Sequence, residues 1–294
     1  SEDALLAVLF AGVRRAHDVE VAREVLEASR KARRAIVAAT FGSLFTGVGG
    51  FDVSFARNGF QLKWQVEKNE QCRELLRRHM PGVPLHQDVR SNDFAEVDII
   101  CGGDPCPKHS RARSNGDSNH PDLAGYFLAV VGRLRPRWVV RENVPSPAVA
   151  HFDAALAHLG YGTVVVRLDA AEVTGQSRQR DFVIGCHQET RQGVRRVFQD
   201  FTDGPGAYTT RLGTRPIAPA LTTHRTRYDS RDCYIWEEGA GLRILDSGER
   251  ETLAGLPREW TAGFSDATRA RMCGNAVVPA VVDAIAERIA KTYA

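Results

Sequence analysis

Chemistry in this chain starts at Pro105-Cys106. The run Val97-Asp98-Ile99-Ile100-Cys101-Gly102-Gly103-Asp104-Pro105-Cys106-Pro107 takes an apolar strand into glycines and then presents a thiol. A cysteine on a loop just past a buried strand is placed for nucleophilic attack. Most lone cysteines are small buried hydrophobes, so the assignment depends on the company Cys106 keeps. Phe45-Thr46-Gly47-Val48-Gly49-Gly50 follows a strand and opens a helix, a pattern that lets backbone approach a ligand and offers free N–H groups. It is not G-x-G-x-x-G, so a dinucleotide pyrophosphate site is not supported. Glu67 closes the next strand, where an acid in such a fold bonds ribose hydroxyls, and a further acid, Asp88, follows another short strand. One glycine loop and two acids at successive strand ends suit a nucleoside-bearing cofactor. Arg141-Glu142-Asn143-Val144-Pro145 puts a carboxylate at the end of another buried strand. Gln176-Ser177-Arg178-Gln179-Arg180 sets two arginines at i and i+2, on one side of an extended chain.

These clusters need a scaffold, and its elements are readable in the hydrophobic pattern. Strands are expected at 35–43, 60–67, 97–101, 138–141 and 181–185, with helices at 50–58, 69–79, 123–133 and 279–292. Strand and helix alternate, which predicts an α/β fold with a doubly wound, mostly parallel sheet. After Gly185 the regularity gives way to prolines, threonines and arginines up to about Arg231. A second, smaller domain is read there. The expected organisation is a helical N-terminal extension at 1–38, a catalytic and cofactor domain at 39–186, a small target-recognition domain at 187–270 and a returning C-terminal helix at 271–294.

Composition bounds the function. With 294 residues and 43% hydrophobic content the chain can bury a full core. Six cysteines at irregular spacing, no C-x-x-C pair and no signal-like N-terminus speak against a zinc cage or a secreted disulfide framework. No metal is expected, and a reducing cytoplasm is the expected setting. No stretch is long and apolar enough to span a membrane. The net charge of +3 is too small to imply nucleic-acid binding by itself. Its distribution says more, because arginines crowd 111–113, 133–141, 178–180, 191–196 and 211–231.

Taken together and in order, Phe45 to Gly50, Pro105-Cys106, Glu142-Asn143-Val144, Gln176-x-Arg178-x-Arg180 and Gly274-Asn275-Ala276-Val277-Val278-Pro279 resemble the cytosine-C5 DNA methyltransferase family. Glu249, Leu253, Gly255 and Pro257 are similar to that family's penultimate motif, and the resemblance runs from about Thr40 to Ala294. It implies a Rossmann-like methyltransferase that transfers a methyl group from S-adenosylmethionine to C5 of cytosine in double-stranded DNA, leaving S-adenosylhomocysteine. Cytosine C5 is a poor nucleophile, so the implied task of Cys106 is to add at C6 and make the ring enamine-like. Glu142, protonated or sharing a proton, would bond N3 and the 4-amino group. One of Arg178 and Arg180 would bond O2, and the other would hold the loop or a phosphate. For the cofactor the resemblance implies Phe45, Gly47, Gly49, Gly50, Glu67, Asp88, Pro105 and Asn275, with Glu67 on the ribose and Asp88 on the adenine amine. The target base would flip out of the duplex, because a thiol cannot reach C6 inside the stack. Ser110, Arg111, Arg211, Arg215, Arg225 and Arg227 are the expected DNA contacts. A monomer of bacterial or phage origin is expected, in restriction-modification, phage self-protection or epigenetic marking.

The chain departs from the family beside the nucleophile. An apolar residue usually precedes the proline and glutamine follows the cysteine, whereas here stand Asp104 and Pro107, with His109 near a phenylalanine-like position. An anion there opposes thiol activation. Asp104 is read as an acceptor for the base amino group, tuning base selection, or as a solvent-facing loop residue. Beside the leading reading stand two others: an enzyme acting on RNA, a modified cytosine or with another donor group, and a catalytically idle DNA-binding regulator.

Overall fold

The computed structural model describes residues 39–91, 93–105, 123–202, 218–223, 233–239 and 241–293. Seven strands form one sheet: β1 Thr40–Leu44, β2 Gln61–Val66, β3 Leu85–His86, β4 Ile99–Gly102, β5 Trp138–Asn143, β6 Gly162–Asp169 and β7 Gln179–Cys186, in the order β3-β2-β1-β4-β5-β7-β6. β1 to β5 run parallel to one another, and β7 is antiparallel to both β5 and β6. From β1 the chain winds outward to β3, then returns to β1's other side at β4. This reversal of strand order opens a crevice at the carboxyl ends of β1 and β4, where open α/β sheets bind ligands.

Period-two alternation decides which helices cover which face. Phe41, Ile99, Cys101, Trp138, Val140, Phe182 and Ile184 belong to one buried cluster, which includes Phe51 and Phe55 of α1 (Gly50–Arg57). Its other helix is α10 (Pro279–Ala290), through Val281, Val282, Ile285 and Ile289. The intervening Leu44, Ile100, Val139 and Val183 face the other way, onto α3 (Ala124–Leu134) and α4 (Pro147–His158). A sheet covered on both faces reads as near-continuous apolar runs, as Val97 to Cys101 does. Helix α2 (Glu70–His79) is capped by Asn69, whose side chain accepts from Cys72 N, and carries Arg77, Arg78 and His79 against the negative end of its dipole.

Three features differ from the sequence expectation. β4 and β5 run on to Gly102 and Asn143, and β7 spans Gln179–Cys186, so Glu142 and Arg180 lie within strands. α4 and β6 form where no element was expected. The helix is rich in alanine with only a weak amphipathic stripe, and β6 alternates buried and exposed positions only over its second half. Past residue 187, α6 (Arg191–Val197) packs on the sheet, Val194 and Phe198 being buried in the α1 and α10 cluster, ahead of α7 (Gln199–Thr202). The remaining elements are the short helix α5 (Ala171–Thr174) between β6 and β7, the hairpin β8 Tyr234–Glu237 and β9 Gly241–Ile244, α8 (Ser247–Leu253) and α9 (Asp266–Asn275).

Candidate active site

The first strand end is shaped by backbone. Phe45, Gly47 and Gly49 all take positive φ (52°, 59° and 86°), and the loop is pinned when Thr46 N and its hydroxyl donate to Val66 O at 3.0 and 3.2 Å. Glycine meets the left-handed requirement without strain. At Gly47 the nearest atom to a would-be Cβ is Phe45 O at 4.0 Å, so the backbone there lies open to a ligand. Gly50 touches the chain's last motif, since a Cβ would stand 2.5 Å from Val277 O. Glu67 closes the loop from β2: one carboxylate oxygen accepts from Gly47 N and the other from Asn69 N, both at 2.7 Å. Burial pushes its carboxyl above the usual range, against those two donors and Arg73. Asp88, past β3, accepts from both the backbone N and the guanidinium of Arg90, which hold its carboxyl down at about 2.

At the next strand ends side chains decide the geometry. Because β7 is antiparallel to β5, its first residues lie beside the carboxyl end of β5, with Glu142 opposite Phe182 and Asn143 opposite Asp181. Arg180 Nε therefore reaches Glu142 Oε1 at 2.9 Å. Gly103 makes room for this carboxylate, as a Cβ there would sit 2.9 Å from Glu142 Oε2. Arg178 is 7% exposed, and among the described residues its Nε finds no acceptor. Burial, then the like charge of Arg180, push its guanidinium down to about 9, while Glu142 opposes them. Both arginines line a small cavity with Leu168, Phe182, Val277 and Val281. Asp169 fixes the arginine loop by accepting from Arg178 N at 2.7 Å and Ala171 N at 3.0 Å. One edge of the sheet thus gathers an open glycine loop, a carboxylate with its arginine, a second desolvated arginine, and the turn that leads to Pro105.

The profile of the C-5 cytosine-specific DNA methylases matches residues 39–205 and 195–291, most of the chain and all of this edge. The chain belongs to that family. Among curated relatives, Type II methyltransferase M.HindV of Haemophilus influenzae is 27% identical over 66% of this chain and 69% of its own length. M.MspI of Moraxella is 22% identical over 85% of this chain and 70% of its own. Two solved structures share the fold: Spodoptera frugiperda DNMT2 (TM-score 0.65, 14% identity, 86% of this chain and 99% of that one) and a putative DNA modification methyltransferase from an Escherichia coli prophage (0.63, 17%, 86% and 99%). The Rossmann-like methyltransferase architecture expected from the sequence is therefore the observed one.

In this member of the family, Glu142, Arg178 and Arg180 converge, with Pro105 on the neighbouring turn. Phe45, Gly47, Gly49, Gly50 and Glu67 form the adjoining loop, and Asp88 lies one strand further out. Asn275 is exposed at the end of α9, in the segment whose Val277 touches Gly50. Cys106, Pro107, His109, Ser110, Arg111, Arg211, Arg215, Arg225 and Arg227 lie outside the described residues. Asp104 is corrected. It is buried, and its carboxylate accepts from Arg141 Nε at 2.5 Å and Nη2 at 2.8 Å, so it neither faces solvent nor stands free for a base. Asp169 and Arg141 were missed as partners. The available signal was a lone arginine in the otherwise apolar run Trp138-Val139-Val140. Among the described residues no helix is long and apolar enough to cross a membrane, and no cluster of three or more metal-ligating side chains occurs.

Proposed function

We propose that this chain methylates C5 of a flipped-out cytosine in double-stranded DNA through a covalent adduct between Cys106 and C6. The observation that carries the reading is the Glu142–Arg180 pair at 2.9 Å beside the Gly103 turn, with Arg178 desolvated next to it. A carboxylate and two guanidinia beside the Gly103 turn suit a flat, polar ring that takes up negative charge. The Cys106 thiolate would add to C6, making C5 nucleophilic. Glu142 would hold N3 and the 4-amino group, and an arginine would meet O2. Once C5 carries the new methyl group, loss of its proton and of the thiolate restores the aromatic ring.

The open glycine loop and Glu67 fit a nucleoside-bearing donor. Glu67 would accept from ribose hydroxyls, Asp88 would meet the adenine amine, and Phe45, with Gly47, Gly49, Gly50, Pro105 and Asn275, would shape the rest of the site. S-adenosylmethionine, when bound there, supplies an electrophilic methyl group on a sulfonium. We assign DNA contacts to Ser110, Arg111, Arg211, Arg215, Arg225 and Arg227. We assign target recognition to residues 187–270, and we read the protein as a cytoplasmic monomer in a restriction-modification or related role. The family's own description and the Type II names of its relatives support DNA as the polymer.

The deciding experiment is incubation with S-adenosylmethionine and duplexes containing 5-fluorocytosine. Fluorine cannot leave C5 as a proton does, so a covalent protein–DNA adduct accumulates with the wild-type chain and is absent with Cys106→Ser. No adduct across a wide duplex library, with donor binding demonstrated, would overturn the reading. An adduct on fluorocytosine RNA alone would move the activity to that polymer.

A further inference from the structure

Strand β5 carries two charged residues in succession, and the pleat sends them to opposite faces. Glu142 goes to the α10 face, where Arg180 meets it. Arg141 goes to the α3 and α4 face, where its guanidinium lies 4.3 Å over the Phe152 ring and is 1% exposed. There it grips Asp104 with two parallel hydrogen bonds, at 2.5 and 2.8 Å, while the next residue but one, Asn143, donates from Nδ2 to Asp104 O at 3.2 Å. Three consecutive residues at the end of β5 thus hold both the Glu142 carboxylate and the turn at residues 103–105. A fork-to-fork pair fixes orientation as well as distance, and a buried one cannot slide without leaving charge unpaired.

We propose that the Asp104–Arg141 pair is a positioning device that indexes the Pro105-Cys106 loop to Glu142. It stands where the family usually has an apolar residue before its proline. The pair touches neither base nor donor; it acts through the backbone of residues 103–105. This inference builds on the methyltransferase reading, and two readouts keep the two separable.

The first readout is the rate of adduct formation on 5-fluorocytosine duplex, together with KM for DNA and Kd for S-adenosylmethionine. The second is amide hydrogen exchange of Gly103 and Asp104 against the β5 amides 138–140, which needs no activity. Arg141→Gln and Asp104→Asn each break the fork. Adduct formation is expected to slow by about tenfold or more with KM and donor Kd unchanged, and exchange at Gly103 and Asp104 to quicken while β5 stays protected. Asp104→Leu combined with Arg141→Met replaces the pair by apolar side chains of similar reach. It is expected to recover loop protection and to come within about threefold of the wild-type rate. The proposal falls if both single variants fold and then react and exchange as wild type does, or if the double variant folds yet is no better than either single. Should the single variants not fold, the double variant decides alone: a protected loop supports the device, and an unprotected one overturns it. If wild type forms no adduct, the methyltransferase reading has failed, and exchange still decides the role of the pair.

Discussion

The two ends of the cleft, the one we assign to the donor and the one we assign to the base, are built by different means. At the donor end, around β1 and β2, shape comes from the backbone: positive φ at Phe45, Gly47 and Gly49, and two main-chain N–H groups bound by Glu67. At the base end, around β4, β5 and β7, it comes from ion pairs between strands, Asp104–Arg141 on one face and Glu142–Arg180 on the other. Backbone loops are stiff where they are local, whereas strand-to-strand charge pairs depend on register. The donor end should therefore tolerate changes at the base end, and turnover should be lost well before donor affinity.

The sharpest way to break this contrast is Glu142→Gln. It removes the charge partner of Arg180 and the carboxylate assigned to the ring, while the amide keeps the shape. Turnover is expected to fall by about 10²–10³-fold, the size seen when one preorganised contact to developing charge is removed. Calorimetry should find S-adenosylmethionine affinity unchanged, whereas Glu67→Gln should weaken it with a smaller effect on turnover once the donor is saturating. Parallel losses of both quantities in both variants would erase the distinction between the two ends.

How much of this was legible in the sequence follows the same division. The glycine loop, Glu67 and Asp88 are spaced by one β-α-β unit each, so local pattern located them. Glu142, Arg178 and Arg180 were legible as motif residues, but that Glu142 and Arg180 touch depends on β7 running antiparallel to β5, which no local pattern states. Asp104 was misread for a related reason. Its partner lies 37 residues away on the next strand, and a carboxylate beside glycine and proline looks solvated until that strand is in place. Helix α4 and strand β6 were missed because their burial is set by the neighbours they pack on, and intrinsic propensity says little there.

Beneath the donor loop lies a second test, of intermediate size. Asp52, in the first turn of α1, is fully buried and accepts from Gln65 Nε2 at 2.9 Å, yet burial outweighs that bond and pushes its carboxyl up to about 7. The folded chain then keeps a proton that the unfolded chain has released. Stability should fall as pH rises from about 4 to about 7 and level off above that, with a slope of up to about 1.4 kcal/mol per unit. Asp52→Asn removes the ionisation. Denaturant unfolding at pH 5 and pH 8 should show the variant gaining about 2 kcal/mol over wild type at the higher pH, relative to the lower. An equal pH dependence in both proteins would mean that the carboxylate is held charged at no cost beneath the loop.

The smallest effect belongs to an ion pair with the same chemistry as Asp104–Arg141 and the opposite setting. Asp88 and Arg90 also form a carboxylate–guanidinium fork, but they are two residues apart on the surface, with side chains 45% and 67% exposed. Water screens their attraction and solvates either partner alone, so Arg90→Ala should leave the thermal midpoint at pH 7 nearly unchanged. The Asp88 carboxyl, held at about 2 by Arg90, should return toward the ordinary carboxylate range, as an NMR titration would report. A depressed acid stabilises the fold above its unfolded pKa and loses that contribution as pH falls through the folded one, so any stability difference must appear as wild-type advantage at neutral pH and fade in acid. Arg141→Gln strands a buried carboxylate instead, and its cost should be several times larger. If the thermal midpoints of Arg90→Ala and Arg141→Gln fell equally, burial would not be what separates the two forks, and the case for a rigid base end built from desolvated charge would lose its physical ground.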